Sequence, residues 1–280
     1  MKKISIALIL VFFLYNLTRA EENLESYKMF DFAENLFKEK EYSKAITEYK
    51  RFIFNHPETP KVIEAKYKLG LCYFMGEKWD TAIKEFQLIA NDYPDKEEGK
   101  LSLIKLSECY FAKNEYILAI NELNNFIEDN ASDKRIKNIY FKAGFYSLYD
   151  NNIEKAQEKF NKTDNAELKN TPIEFSKLPQ KSPIVAGTLS AIIPGAGQFY
   201  IKRYSDGIYS FILNGIFIWG AVESFKNDQN VAGGIITFFE LGWYSGNIYN
   251  AISNAHKFNK RTKIDFLKKL DEKYSSFETN

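Results

Sequence analysis

From Tyr27 to about Thr163 the chain repeats itself with a fixed period, and this constrains its fold more than any other feature. Four times an Ala is followed four residues later by a large side chain: Ala45 by Tyr49, Ala82 by Phe86, Ala119 by Leu123, Ala156 by Phe160. Successive marker alanines are 37 residues apart. Three positions before each Ala stands a large residue (Tyr42, Trp79, Tyr116, Ile153), and twelve before it a small one (Ala33, Gly70, Ser107, Gly144). Pro57 and Pro94 close the first two units. The pattern predicts one helical hairpin per unit. Small residues and alanines let the two helices approach, the large side chains fill the gap between them, and proline stops the second helix. Each hairpin leaves an apolar face that the next one covers. The expected fold is all-α, with a solenoid of about four hairpins over residues 21–163.

These residues resemble the tetratricopeptide repeat. Its Leu-Gly, Tyr, Ala, Phe, Pro frame stands in the second unit as Leu69-Gly70, Tyr73, Ala82, Phe86 and Pro94. The usual period is about 34 residues. The longer period here is similar to an exported subgroup found in outer-membrane assembly lipoproteins and cell-division coordinators of the bacterial envelope. The fourth unit lacks the closing Pro and has Ile153 in place of an aromatic residue, as a terminal cap would. The resemblance implies a scaffold that binds a protein partner along the first helices. Phe30, Tyr67, Ile104 and Phe141 occupy one equivalent position there, and Phe37, Phe74, Phe111 and Leu148 another. Two readings stand: an apolar groove for a peptide or partner helix, or ordinary packing between neighbouring helices.

The first twenty residues, "MKKISIALILVFFLYNLTRA", have a basic start, a short apolar run, and Thr18 and Ala20 at the −3 and −1 positions of a cleavage site. They read as a secretory signal peptide. An uncleaved N-terminal anchor is the alternative. The two cysteines, Cys72 and Cys109, are too few for a disulfide scaffold. They hold the same place in adjacent units and are expected to stay unpaired, about a helix spacing apart. A formal charge of +1 offers no reason to expect nucleic-acid binding.

Residues 164–183 contain three of the seven prolines, Pro172, Pro179 and Pro183, and read as a semi-rigid linker. The next region, 184–256, is strongly apolar. Residues 184–201 carry no charge, 204–222 only Asp206, and 231–252 only Glu240. Stretches of this length cover ~27–33 Å as helix, close to a hydrocarbon core. Three membrane segments are expected, with a compact soluble helical domain as the alternative. If the repeats are exported, three crossings place Lys202, Arg203 and the basic tail 257–280 in the cytoplasm, in keeping with the positive-inside rule. Lys177 and Lys181, left outside, run against it. Ile264, Leu267, Leu270 and Tyr274 share one helical face of the tail, suited to the inner leaflet or to a small packed helix.

Within this region lies "IIPGAGQFYIKRY". It is not a phosphate loop: the third Gly of a dinucleotide fingerprint is missing, no Gly-Lys-Ser/Thr follows, and no strand pattern precedes it. Pro194, Gly195 and Gly197 predict a bend or break, with Gln198 satisfying freed backbone groups and Tyr200 at the headgroup layer. Two readings of the first segment stand: a bent crossing, or a short or re-entrant helix. The small residues of the other segments, Gly215, Gly220, Gly233, Gly234 and the Gly242/Gly246 pair, are expected to pack against it. The run also resembles a small prokaryotic membrane domain of unknown function with the signature Ser-x-x-x-Pro-Gly-x-Gly-Gln-x-Tyr. Ser190, Pro194, Gly195, Gly197, Gln198, Tyr200 and the later Gly207 match it. That resemblance implies location and no chemistry.

No spacing suits a metal or a nucleophile–base pair, so no enzyme, cofactor, metal or nucleotide is expected. Glu240 stands mid-segment, where a carboxylate is expensive, and Asn214 lies at a similar depth. Together they are helix glue or part of a proton or ion path. The function expected is a periplasmic scaffold anchored in the bacterial inner membrane. Its repeats bind a protein partner in envelope assembly or maintenance, and its C-terminal domain sits in the bilayer. The alternative is a membrane-active transport or insertion accessory acting through that domain.

Overall fold

The computed structural model describes residues 24–274, so the expected signal peptide lies outside the described residues. The chain divides into two compact units between Lys169 and Asn170.

Unit 1 is built from α1 (residues 24–38), α2 (Tyr42–Asn55), α3 (Val62–Met75), α4 (Trp79–Asp92), α5 (Glu97–Ala112), α6 (Tyr116–Asp129), α7 (Ile136–Tyr149) and α8 (Ile153–Phe160). They pair as four helical hairpins. All four marker alanines and their partners Tyr49, Phe86, Leu123 and Phe160 are fully buried. A Cβ on Gly70 would lie 2.7 Å from the Phe86 ring, and one on Gly144 2.6 Å from the Phe160 ring. The small residue of the first helix thus makes room for the large residue of the second, as the spacing requires. The closing prolines follow the ends of α2 and α4. In the third unit Asn130 ends α6 instead, its side-chain amide donating to the Phe126 carbonyl at 3.2 Å.

The hairpin turns share one backbone device. Lys40, Glu77, Asn114 and Asn151 all have φ between 56° and 62°, one residue per unit and 37 apart. Each follows a first helix and reverses the chain into the second. Only the two asparagines suit that left-handed conformation.

Residues 164–183, read from their prolines as a semi-rigid linker, hold the boundary between the units but are largely helical. They contain α9 (Ala166–Ser176), with Pro172 inside the helix. An interior proline costs a hydrogen bond, but Leu168 and Phe175 are both buried on this helix, and packing outweighs propensity. Phe175 meets Phe266 edge-on at 5.7 Å.

Unit 2 consists of the end of α9 with α10 (Pro183–Ile192), α11 (Ala196–Tyr200), α12 (Tyr204–Lys226) and α13 (Asn230–Tyr274). Ser182 caps α10, its hydroxyl accepting from the Val185 amide, with Pro183 at the first helical position. The tail is not a separate element. With no Gly or Pro after Gly246, α13 runs unbroken for 45 residues, and Leu267, Leu270 and Tyr274 are buried along it. Among the described residues one helix, α12, is long and apolar enough to cross a membrane. α10 is too short, and α13 is diluted by Glu240 and its asparagines.

The buried positions of α12 are Gly207, Asn214 and Ala221; those along the facing half of α13 include Gly233, Glu240, Asn247 and Asn254. Both sets step by seven, the signature of a knobs-into-holes seam. The composition is inverted, because this seam is small and polar while large apolar side chains point out. Trp219 is 67% exposed, Phe238 73% and Val231 80%.

The turn geometry generates a prediction. Glu77→Gly should stabilise unit 1, because relief of ~1–2 kcal/mol of left-handed strain exceeds the ~0.5–1 kcal/mol entropic cost of glycine. Gly70→Leu should destabilise it by ~1–3 kcal/mol through overpacking against Phe86. Hydrogen exchange of residues 62–92 in the full chain should show slower opening for the first variant and faster opening for the second.

Candidate functional site

The eight groove candidates fall into two sets. Phe30, Tyr67 and Phe141 point at their own second helices, and Ile104 holds the equivalent position in the third unit. Phe30 lies 5.9 Å from Tyr49 and 5.5 Å from Phe52, Tyr67 5.7 Å from Phe86, and Phe141 6.1 Å from Phe160. Phe30, Tyr67 and Ile104 are buried, as is Leu148. Phe37, Phe74 and Phe111 sit at the hairpin turns against Tyr42, Trp79 and Tyr116, at 5.6, 5.2 and 5.6 Å. These three keep part of their surface open.

The open rings are covered from the next unit. Lys68 lies 5.3 Å over Phe37, and Lys105 5.1 Å over Phe74. Phe111 stacks on Tyr146 at 4.2 Å. The lysines recur every 37 residues, as Lys68, Lys105 and Lys142. Lys68 pairs with Glu34 at 2.9 Å, and Lys142 and Lys105 both pair with Glu108 at 2.6 Å. Burial acts to raise the carboxyl of Glu108, but the two ammonium groups outweigh it and hold the group below the usual carboxylate range. Glu34 behaves alike: burial opposes ionisation, while hydrogen bonds from Tyr49 and Lys68 more than offset it. The strip along the first helices is therefore aromatic rings capped by paired charges, not a bare apolar groove. Sequence spacing located the rings but not the lysines over them.

Cys72 and Cys109 are free and buried, and burial pushes both thiols up to about 12, which leaves them unreactive. Among the described residues no cluster of His, Cys, Asp and Glu is placed to hold a metal ion.

In unit 2 the Pro-Gly-x-Gly-Gln motif forms a reversal. The residue before a proline is pushed out of the helical region, and Ile193 is extended, with φ −131° and ψ 114°. Gly195 follows at φ +90°. A Cβ on Gly195 would lie 2.2 Å from the Gly207 carbonyl oxygen, and one on Gly197 2.0 Å from that of Ala186. Gln198 is buried at the centre. The Gly197 amide donates to Ser190 Oγ at 3.1 Å, and Ser190 Oγ donates to Gln198 Oε1 at 2.9 Å. Gln198 Nε2 donates to the carbonyl and the side-chain oxygen of Asn247.

The chain then returns to where it began. The Ser182 amide donates to the Tyr200 hydroxyl at 3.1 Å, and Lys181 lies 4.4 Å over the Tyr200 ring. Lys181 is also tied to Asn259 by two hydrogen bonds, at 2.7 and 2.8 Å, and Arg203 donates to Asn254 at 2.6 Å. Both ends of residues 183–203 thus meet one short stretch of α13.

Several expected contacts are not made. Around Gly242, Gly246, Gly215 and Gly234 an added Cβ would meet nothing within 4 Å. The close approach is made instead by Gly187, whose Cβ would meet Ile252 at 2.7 Å, with Ala186, Ala251 and Ala255 buried beside it. Gly242 and Gly246 line an open cleft of about 1000 Å³ between α12 and α13, which the sequence did not reveal. Asn214 and Glu240 are both buried on the facing seam of that hairpin, and oxygens of both lack a hydrogen-bond partner.

Residues 64–96 match the family model of the tetratricopeptide repeat, and with the four hairpins this makes unit 1 a tetratricopeptide-like solenoid, an architecture of protein-interaction scaffolds. Solved structures similar to the chain include a tetratricopeptide repeat protein from Parabacteroides merdae, at 13% identity over 87% of this chain and 97% of the other, with TM-score 0.46. BtubC from P. vanneervenii matches at 15% identity over 64% and 73%, with TM-score 0.41. The Rap conjugation gene regulator of plasmid pLS20, in complex with the Phr* peptide, matches at 14% identity over 89% and 76%, with TM-score 0.40. A comparison with curated proteins gave no match.

The reversal predicts that Gly195→Ala and Gly197→Ala damage unit 2 at the upper end of ~1–3 kcal/mol, since each new methyl meets a backbone oxygen. Limited proteolysis in detergent should show loss of the protected C-terminal fragment in both variants, while Gly242→Ala leaves it intact.

Proposed function

We propose that this chain is a membrane-anchored scaffold of the bacterial envelope, with exported repeats that bind a protein partner and a C-terminal unit embedded in the inner membrane. The observation that carries the reading is the inversion of unit 2. Its seam buries Asn214, Glu240, Asn247 and Asn254, while Phe238, Trp219 and Val231 face outward. Water would reward the opposite arrangement; a hydrocarbon solvent rewards this one. The partner would lie along the first helices, where lysine-capped rings of Phe37 and Phe74 offer both apolar edges and charge.

The proposed topology has two crossings, α12 and the apolar half of α13. The ten residues of α10 cover ~15 Å as helix, half a hydrocarbon core, and the bond between Ser182 and Tyr200 supports an entry and an exit on one face. This differs from the three crossings expected from composition, and it places the C-terminus on the same side as the repeats. Export by the N-terminal segment makes that side periplasmic. The basic residues Lys181, Lys202, Arg203, Lys257 and Lys260 then gather there, against the positive-inside tendency.

A reporter active only in the periplasm tests this. Fused after Asn165 and after Asn280, it should be active at both sites. Activity at Asn165 alone restores three crossings, silence at both places the repeats in the cytoplasm, and release of the full chain by carbonate washing removes the membrane reading. Crosslinking in intact cells should attach the partner to first-helix positions such as Phe37, and not to unit 2.

A second reading, a membrane-active accessory whose function lies in unit 2, is favoured by the buried and unpaired oxygens of Asn214 and Glu240. Loss of function in Glu240→Gln with partner capture intact would select it.

A further inference from the structure

We propose that Asn214 and Glu240 form a proton-binding site in the α12–α13 seam, with Glu240 held as the neutral acid and its hydroxyl donating to Asn214 Oδ1. The inference rests on the register of the hairpin and its hydrogen-bond accounting. It does not rest on the lipid reading.

The register comes first. Buried positions descend α12 as Ala221, Asn214 and Gly207 and ascend α13 as Gly233, Glu240 and Asn247, each in steps of seven. Near the turn, a Cβ on Gly233 would touch the Phe225 ring at 2.9 Å, and one on Gly220 would reach Ile236 at 4.0 Å. An antiparallel hairpin with these contacts layers Ala221 with Gly233, Asn214 with Glu240, and Gly207 with Asn247. The third layer has independent support. Gly195 lies against Gly207 and Gln198 bonds Asn247, so one reversal touches both of its members. Asn214 and Glu240 therefore share the middle layer.

The Asn214 amide nitrogen donates one of its two hydrogens to the Ser210 carbonyl at 2.6 Å. Its Oδ1 is buried without a donor, and so are both oxygens of Glu240. Asn214 is 0% exposed and Glu240 7%. The layer thus holds three unpaired acceptors, and the one N–H left to face them is the second hydrogen of the Asn214 amide, which cannot neutralise a charge. An ionised carboxylate there is an unpaired buried charge, which is strongly disfavoured. One proton on Glu240 turns the repelling acceptors into a donor–acceptor pair and removes the charge.

Among the described residues no cation is placed to do this instead. On α12 the nearest charged groups are Asp206 and Glu223, eight and nine residues from Asn214, or ~12–14 Å along the axis. Both are acidic. On α13 no other charged residue occurs from Asn230 to Ala255. Tyr244, one turn from Glu240, donates its hydroxyl to the Ala191 carbonyl at 3.0 Å, and Tyr249 is exposed. α10 carries no ionisable group. Among the described residues the proton is the ligand that fits three buried oxygens flanked only by neutral N–H groups, the second hydrogen of Asn214 and, one layer on, the unpaired Asn247 Nδ2.

Infrared spectroscopy of the full chain in lipid bilayers and in detergent tests the site. At neutral pH the parent should show a carboxylic acid carbonyl band that Glu240→Gln lacks, and Asn214→Leu should shift that band as its hydrogen bond is lost. Glu240→Gln should fold as the parent does, since a glutamine N–H can donate to Asn214 Oδ1. Raising the pH should bleach the band and expose unit 2 of the parent to protease, with no such pH effect in Glu240→Gln. The proposal is overturned if the parent and Glu240→Gln differ only in a carboxylate band, or if Glu240→Gln fails to fold. It is also overturned if the titration midpoint moves when sodium replaces choline in the buffer, because the ligand is then a metal cation.

Discussion

Gln198 spends its whole side-chain amide inside unit 2. Its oxygen accepts from Ser190, and its nitrogen donates to Asn247 on α13. The backbone around it is irregular, and irregular backbone leaves polar groups that need partners. Ser190 takes up one of them, the Gly197 amide. Remove Gln198 and a buried chain of bonds from α10 to α13 loses its middle link. The glycines serve the same end, since Gly195 and Gly197 bring α11 close enough to Gly207 and Ala186 for Gln198 to reach across. The motif is thus a joint between α10 and α13.

Unit 1 depends on a different constraint, close approach between two helices at one small residue. The Phe86 and Phe160 rings occupy the space that side chains at Gly70 and Gly144 would need. That geometry recurs with the period, so each hairpin presents the next with the same surface. The lysines at 68, 105 and 142 are a second periodic feature laid over the first. Lys68 and Lys105 cover rings of the preceding unit, and Glu34 and Glu108 neutralise all three. Charge and apolar contact are therefore joined along one strip.

The solenoid was legible because its signal is steric and periodic, and a Gly that faces a Phe twelve and four residues either side of an Ala survives reading in one dimension. The reversal was legible because Pro194 and the glycines change backbone preference locally. Less legible was α9, where burial of Phe175 against Phe266 overrides Pro172 through a partner ninety-one residues away. The Gly242/Gly246 pair misled for the opposite reason: the spacing is right, yet the helix turns that face to open space. The left-handed turn residues could have been found, because Lys40, Glu77, Asn114 and Asn151 keep the period; side-chain chemistry hid them, since two of the four are not types that favour the conformation.

The uncharged run 184–201 has the length and composition of a crossing helix, and composition alone cannot distinguish a span from a reversal. Direction is decided by two dihedral angles, the extended Ile193 and the positive φ of Gly195. Once the chain turns there, the ends of the run must lie together, and Ser182 and Tyr200 do. The consequence reaches beyond the motif. Every basic residue that flanks the run, from Lys181 to Arg203, is brought to the level of Asn254 and Asn259 on α13, where Lys257 and Lys260 also stand. A charge distribution that looked like two separate cytoplasmic clusters and an exception becomes one basic collar at one end of a hairpin whose other end carries Glu223, Lys226 and Asp228.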